Sequence, residues 1–182
     1  MSIVERAPTG SSIRLEPMKR KHVRDVLVIE REVYVRPWSA ALFFSELGQK
    51  KTRHYIVASG PDDEILGYAG LMVHGEDAHI TNIAVTPAHQ TKRIGARMLL
   101  NVVHEARSRG ARKITLEVRV TNWAAQRLYS WFGFRPVGIR RNYYAETGED
   151  ALVMMLDDAR SDETTARLDQ VRSALTFEGP EA

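Results

Sequence analysis

The 182-residue chain contains no cysteine. That excludes disulfides, thiolate metal centres and a cysteine nucleophile, and it fits a reducing compartment. No apolar run approaches the roughly 20 residues of a membrane-spanning helix, and residues 1–10 carry no apolar signal segment. The expectation is a cytoplasmic protein without a membrane partner. His74, His79, His89 and His104 do not form an i, i+4 pair around a glutamate, so no metal is expected. Internal repeats are also missing. What remains is ordinary globular composition, 43% hydrophobic and 27% charged, which suits one domain able to bury a core without staples.

The net charge of +3 hides an asymmetry. Residues 157–182 hold seven acids against three arginines, which leaves them at −4 and the rest of the chain at +7. A basic body can attract nucleic acid, but it equally suits a small polyanion. Charge does not choose between them.

Residues 1–12 mix Gly, Ser, Pro and charge and read as a flexible lead-in. A short strand at 13–16 precedes an amphipathic helix at 21–34, and Ser39 is a plausible N-cap for a second helix ending at Gly48. Runs at 53–58, 65–73 and 79–85 with short turns between them predict an antiparallel meander. A long helix follows at 94–109, then a strand at 113–120, a helix at 122–132, and strands at 134–141 and 151–156. A strand, crossover helix and strand over 79–120 imply one parallel pair in an otherwise mixed sheet. The acidic segment 157–182 has a thin apolar stripe over 165–175 and is read as a solvated appendage.

Two segments carry chemistry. After the strand ending at Val85, the loop Gln90-Thr91-Lys92-Arg93-Ile94-Gly95-Ala96 opens the long helix. Free N–H groups at such a helix start, the positive end of its dipole and a glycine allowing close approach together make an anion site. A plain strand–helix turn with solvated basic residues is the simpler alternative. In the second segment, Glu117 interrupts an apolar strand, on one face with Thr115 and Arg119. A carboxylate there needs a partner or a task, and pairing with Arg119 would suffice. Asn122 suits an N-cap, and Tyr129 lies two helical turns further on.

Taken in order, Asn82-Ile83-Ala84-Val85, the loop at 90–96, Leu116-Glu117-Val118-Arg119, Asn122 and Leu128-Tyr129 before Phe132-Gly133-Phe134 resemble the GNAT superfamily of N-acetyltransferases. Pro37-Trp38-Ser39, the Leu116–Arg119 run, Arg140-Arg141-Asn142-Tyr143-Tyr144 and Glu149-Asp150-Ala151 resemble its ribosomal-protein-alanine branch. The likeness covers residues 13–156. It implies an α/β (α+β) fold in three layers, α/β/α, whose mixed, mostly antiparallel sheet has a splayed parallel strand pair at its centre.

The resemblance also implies roles. Ile83, Ala84 and Val85 would bind the pantetheine arm of acetyl-CoA through main-chain groups. Thr91, Lys92, Arg93, Ile94, Gly95 and Ala96 would hold its pyrophosphate, and Asn122 would touch it near the reactive end. Glu117 would be the proton acceptor and Tyr129 the proton donor to the departing thiolate. Trp38, Tyr143 and Tyr144 are assigned to the substrate groove. The family loop reads Gln-x-x-Gly-x-Gly, and here Arg93 stands at the first glycine position. An arginine can still donate its main-chain N–H there if its φ is negative, so cofactor binding is expected to survive with an altered loop.

The implied activity is transfer of acetyl from acetyl-CoA to the N-terminal amine of a protein. By resemblance the target is the N-terminal alanine of the eighteenth small-subunit ribosomal protein. No metal is required, no direct nucleic-acid contact is expected, and the chain is expected to be a monomer or weak dimer. Three alternatives stay open at this stage: acetylation of a lysine side chain or small amine, a non-catalytic RNA- or ribosome-binding module, and an acetyl-CoA sensor.

Overall fold

The first helix forms because Val23, Val26 and Ile29 recur on one face and are buried together with Glu30. This computed structural model describes residues 13–176; the lead-in expected at 1–12 and residues 177–182 lie outside them. The order is β1 (Arg14–Pro17), α1 (Val23–Val33), α2 (Ala40–Gly48), β2 (Arg53–Ser59), β3 (Ile65–His74), β4 (Asp77–Val85), α3 (Ile94–Ser108), β5 (Lys113–Arg119), α4 (Trp123–Trp131), β6 (Arg135–Tyr144), β7 (Glu149–Leu156) and α5 (Asp162–Thr176). Ser39 caps α2, its Oγ accepting from Leu42 N at 3.2 Å, and Asn122 caps α4, its Oδ1 accepting from Ala125 N at 3.1 Å.

The seven strands form one sheet in the order β1-β2-β3-β4-β5-β7-β6, antiparallel except for the β4–β5 pair. Strand alternation sends Ile56 and Ala58 of β2 to one core and Tyr55 and Val57 to another. The first core packs beneath α3 with residues of α4 and α5, and the second beneath α1 and α2. Helices thus cover both faces of the sheet, as the three-layer expectation required. No helix among the described residues is long and apolar enough to cross a membrane.

The expectation of a solvated appendage after residue 157 is corrected. Thr164, Leu168, Val171 and Leu175 are buried, at 6%, 0%, 1% and 5% exposure, and the three apolar ones join the core beneath α3. The spacing of four, three and four residues makes a stripe one side chain wide. Such a stripe buries completely only because α3 and the sheet edge supply the facing surface. Leu168→Ala is expected to lower stability by about 2–4 kcal/mol, read from urea unfolding; a change within about 0.5 kcal/mol, usual for surface sites, would restore the appendage reading.

Candidate active site

The parallel pair β4–β5 is joined only where Asp77, Ala78 and His79 face Lys113, Ile114 and Thr115. Beyond that point β4 stays with β3 and β5 stays with β7, so the two inner edges part. A bulge contributes to the parting. Between Gly70↔Asn82 and Leu71↔Ile80 the register shifts, leaving Thr81 as an extra residue on β4, and such an insertion bends and twists its strand. Gly70 opposite the bulge is sterically required, because a Cβ there would lie 2.3 Å from the Tyr55 ring and 2.5 Å from Thr81 Oγ1.

Ile83, Ala84 and Val85 line the parted edge, with no ladder partner on the β5 side. Ile83 O accepts from the Tyr34 hydroxyl at 3.4 Å, and Val85 O accepts from Gln90 Nε2 at 3.3 Å. Where the wedge opens, residues 91–93 turn into α3, whose first amides lack partners within the helix. Gly95 is not demanded by the protein itself: a Cβ there would make only ordinary contacts, 3.6 Å from Leu128 Cδ2 and 3.9 Å from Val85 Cγ2. An open glycine at a helix start beside unpaired strand edge fits a diphosphate-bearing chain. The buried Asn82 Oδ1, which has no hydrogen-bond partner, adds an acceptor on the same strand.

The negative φ on which that donation was conditioned is not found at Arg93. Its φ is 56°, in the left-handed region, where a residue with a Cβ costs roughly 1–2 kcal/mol. Glycine adopts this conformation freely.

Glu117 projects from β5 beside the splay. Its Oε2 lies 3.0 Å from His79 Nε2, and its Oε1 accepts from Arg140 Nη1 at 2.8 Å. The alternative pairing with Arg119 does not occur: Arg119 instead donates to Glu146 and Glu149 at 2.7 and 2.9 Å, and lies 3.8 Å over the Tyr144 ring. The hydrogen bond with His79 and the Arg140 guanidinium hold the Glu117 carboxyl below the usual carboxylate range, against the opposing effect of burial. Its carboxylate therefore stabilises the fold at neutral pH, and that contribution is lost as pH falls through the lowered value.

Tyr129 is buried, at 8% exposure, against Phe134, and burial pushes its hydroxyl pKa well up. Tyr34 and Tyr144 lie within electrostatic reach of it. Trp38 sits on the connection between α1 and α2, packed against Phe43. Buried Glu30, its pKa raised by desolvation, anchors that connection by accepting from Trp38 N at 2.6 Å and from the Tyr68 hydroxyl. Tyr143 and Tyr144 end β6, and their rings meet edge to face at 5.2 Å. His79 and Arg140 are the members that sequence reasoning missed as partners of Glu117.

The description "Acetyltransferase (GNAT) family" matches residues 23–134, the stretch that holds the parted strands, the loop and both helices around them. The chain belongs to the GNAT family and is an acetyltransferase. A Bacillus subtilis protein provisionally named [ribosomal protein bS18]-alanine N-acetyltransferase is 39% identical over 137 residues, 75% of this chain and 90% of the relative. The enzyme so named from Salmonella typhimurium is 37% identical over 130 residues, 70% and 86% of the two chains. The crystal structure of the ribosomal-protein-S18-alanine N-acetyltransferase from Escherichia coli superposes with a TM-score of 0.74 at 29% identity, over 84% of this chain and 97% of that one. GNAT enzymes use acetyl-CoA as donor, and the wedge and its glycine suit that molecule.

His79→Ala is expected to raise the Glu117 titration, followed by carboxyl-carbon NMR, because the largest lowering influence is removed and the opposing burial remains. An unmoved titration would show that His79 does not set the state of this carboxylate.

Proposed function

We propose that this GNAT acetyltransferase moves the acetyl group of acetyl-CoA onto the N-terminal α-amine of ribosomal protein bS18, at an alanine, and acts in the cytoplasm where ribosomes are made. The observation that carries the reading is Glu117, a half-buried carboxylate paired with His79 at the mouth of the parted strands. Support for the substrate comes from the relatives, whose names specify this reaction at 35–39% identity.

When bound, acetyl-CoA supplies the activated acyl group. The remaining work falls to the protein. Main-chain groups of Ile83, Ala84 and Val85 hold the pantetheine arm, amides of residues 91–96 hold the pyrophosphate, and Asn122 orients the reactive end. An α-amine has a pKa near ~8 and must lose a proton before attack. Glu117, a carboxylate at neutral pH, accepts that proton. A lowered pKa makes it a weak resting place for a proton, which is handed on to solvent. Thr115 Oγ1 donates to Ala78 O at 3.4 Å and lies 3.1 Å from His79 Nδ1, which orients the ring so that its Nε2 meets Glu117. Main-chain N–H groups near Val85 stabilise the oxyanion. Burial keeps the Tyr129 hydroxyl protonated, ready to protonate the departing thiolate. Trp38, Tyr143 and Tyr144 wall the groove that receives the peptide.

Glu117→Gln and Tyr129→Phe are each expected to lower turnover by about 10²-fold or more, measured by release of free coenzyme A; near-normal rates in both would reject these roles. With a panel of short peptides and mass-spectrometric location of the product, acetyl is expected on the α-amine of peptides beginning with alanine. Modification of internal lysines alone would replace this assignment with a lysine acetyltransferase.

A further inference from the structure

Arg93 occupies the N-cap of α3 with φ 56°. Glycine adopts that conformation freely, whereas arginine needs something to hold it there. The structure supplies the hold. Arg93 Nη1 donates to the carbonyl of Ala174 at 2.8 Å, in the last turn of α5. Last-turn carbonyls lack partners within a helix and carry the negative end of its dipole, so a guanidinium is favourable there. The helix that offers this carbonyl is itself fastened to α3. Arg107 Nη2 donates to Thr165 Oγ1, Arg172 Nη2 meets His104 Nε2 at 2.7 Å, and Leu168, Val171 and Leu175 are buried between them and the sheet. The family match ends at residue 134, so α5 lies outside it. An arginine at the position of a loop glycine and a helix beyond the matched stretch meet in one hydrogen bond.

We propose that α5 is a strap for the cofactor loop and that Arg93 is its positioning residue, fixing the left-handed turn that aims the first amides of α3 at the pyrophosphate. The inference rests on the proposed placement of acetyl-CoA. In this chain a tether does what a glycine's conformational freedom does in the family pattern, and cofactor affinity depends on the docking of a helix remote from the reacting atoms. Without the tether, residue 93 relaxes toward negative φ, the peptide plane preceding α3 turns, and the amides no longer converge.

The test is calorimetry with coenzyme A and steady-state kinetics on the full chain. Arg93→Ala is expected to weaken coenzyme A binding about tenfold, the scale set by an unsupported left-handed residue, with the loss in kcat/KM carried by KM for acetyl-CoA. Arg93→Gly, which removes the same tether and charge, is expected to recover most of what Arg93→Ala loses. Leu175→Ala, which loosens the last turn of α5, is expected to raise KM for acetyl-CoA in the Arg93 protein and much less in the Arg93→Gly background, a coupling that independent effects would not show. Equal losses for Arg93→Ala and Arg93→Gly would overturn the strap and assign Arg93 a direct charge contact with phosphate. Undiminished binding in Arg93→Ala would also overturn it. If the unaltered protein fails to bind coenzyme A at all, the cofactor placement falls first, an outcome distinct from both.

Discussion

Two neighbouring strands that share only three residue pairs before they part are the constraint on which the rest of this molecule depends. A sheet normally satisfies its main chain strand by strand. Here the extra residue at Thr81 bends β4 away, and Gly70 leaves room for the bulge because any Cβ would strike Tyr55. The unpaired edge at residues 83–85 is then a ready template for a molecule with its own amides. The start of α3 lies beside it, as the approach of residue 95 to Val85 and Leu128 indicates. The proposed seat for the extended arm follows from one defect in one strand.

The same parting governs the electrostatics. His79 is the last β4 residue still paired with β5, so its ring stays within reach of Glu117, two residues further along β5 than its partner Thr115. Arg140 arrives from β6, on the far side of β7. A half-buried carboxylate with a histidine on one oxygen and an arginine on the other stays ionised despite desolvation. Proton acceptance at that carboxylate is proposed together with onward release to solvent, since a carboxylate so held keeps a proton only briefly. The tyrosines behave oppositely. Burial makes ionisation of Tyr129 costly, and Tyr144 is pushed up to about 12. The site thus keeps one group charged and a neighbouring set neutral.

Arg93 shows how a departure from a family pattern can be structurally absorbed. A left-handed arginine in isolation is a liability, and a helix end with unpartnered carbonyls is another. Joined, each answers the other's need. The proposed strap places part of the cofactor site's stability in α5, whose acidic composition and narrow apolar stripe gave little hint of a docked helix.

Local patterns in the chain determined its elements: the short runs and turns of β2 to β4, the helical repeat of α1 and α3, and Ser39 and Asn122 as caps are local properties that propagate without reference to distant residues. The ordered motifs likewise pointed to Glu117, Tyr129 and the loop at 90–96 as candidates, because their residue types and spacing along the chain carry the family resemblance. Three things waited for the tertiary structure. The partners of Glu117 come from β4 and β6, and a parallel register or an antiparallel return cannot be read from spacing, so Arg119 looked the nearer partner. The sign of φ at Arg93 depends on a carbonyl 81 residues away. The burial of α5 depends on the surface offered by α3 and the sheet, since a stripe one side chain wide is apolar enough to dock only where a matching face exists.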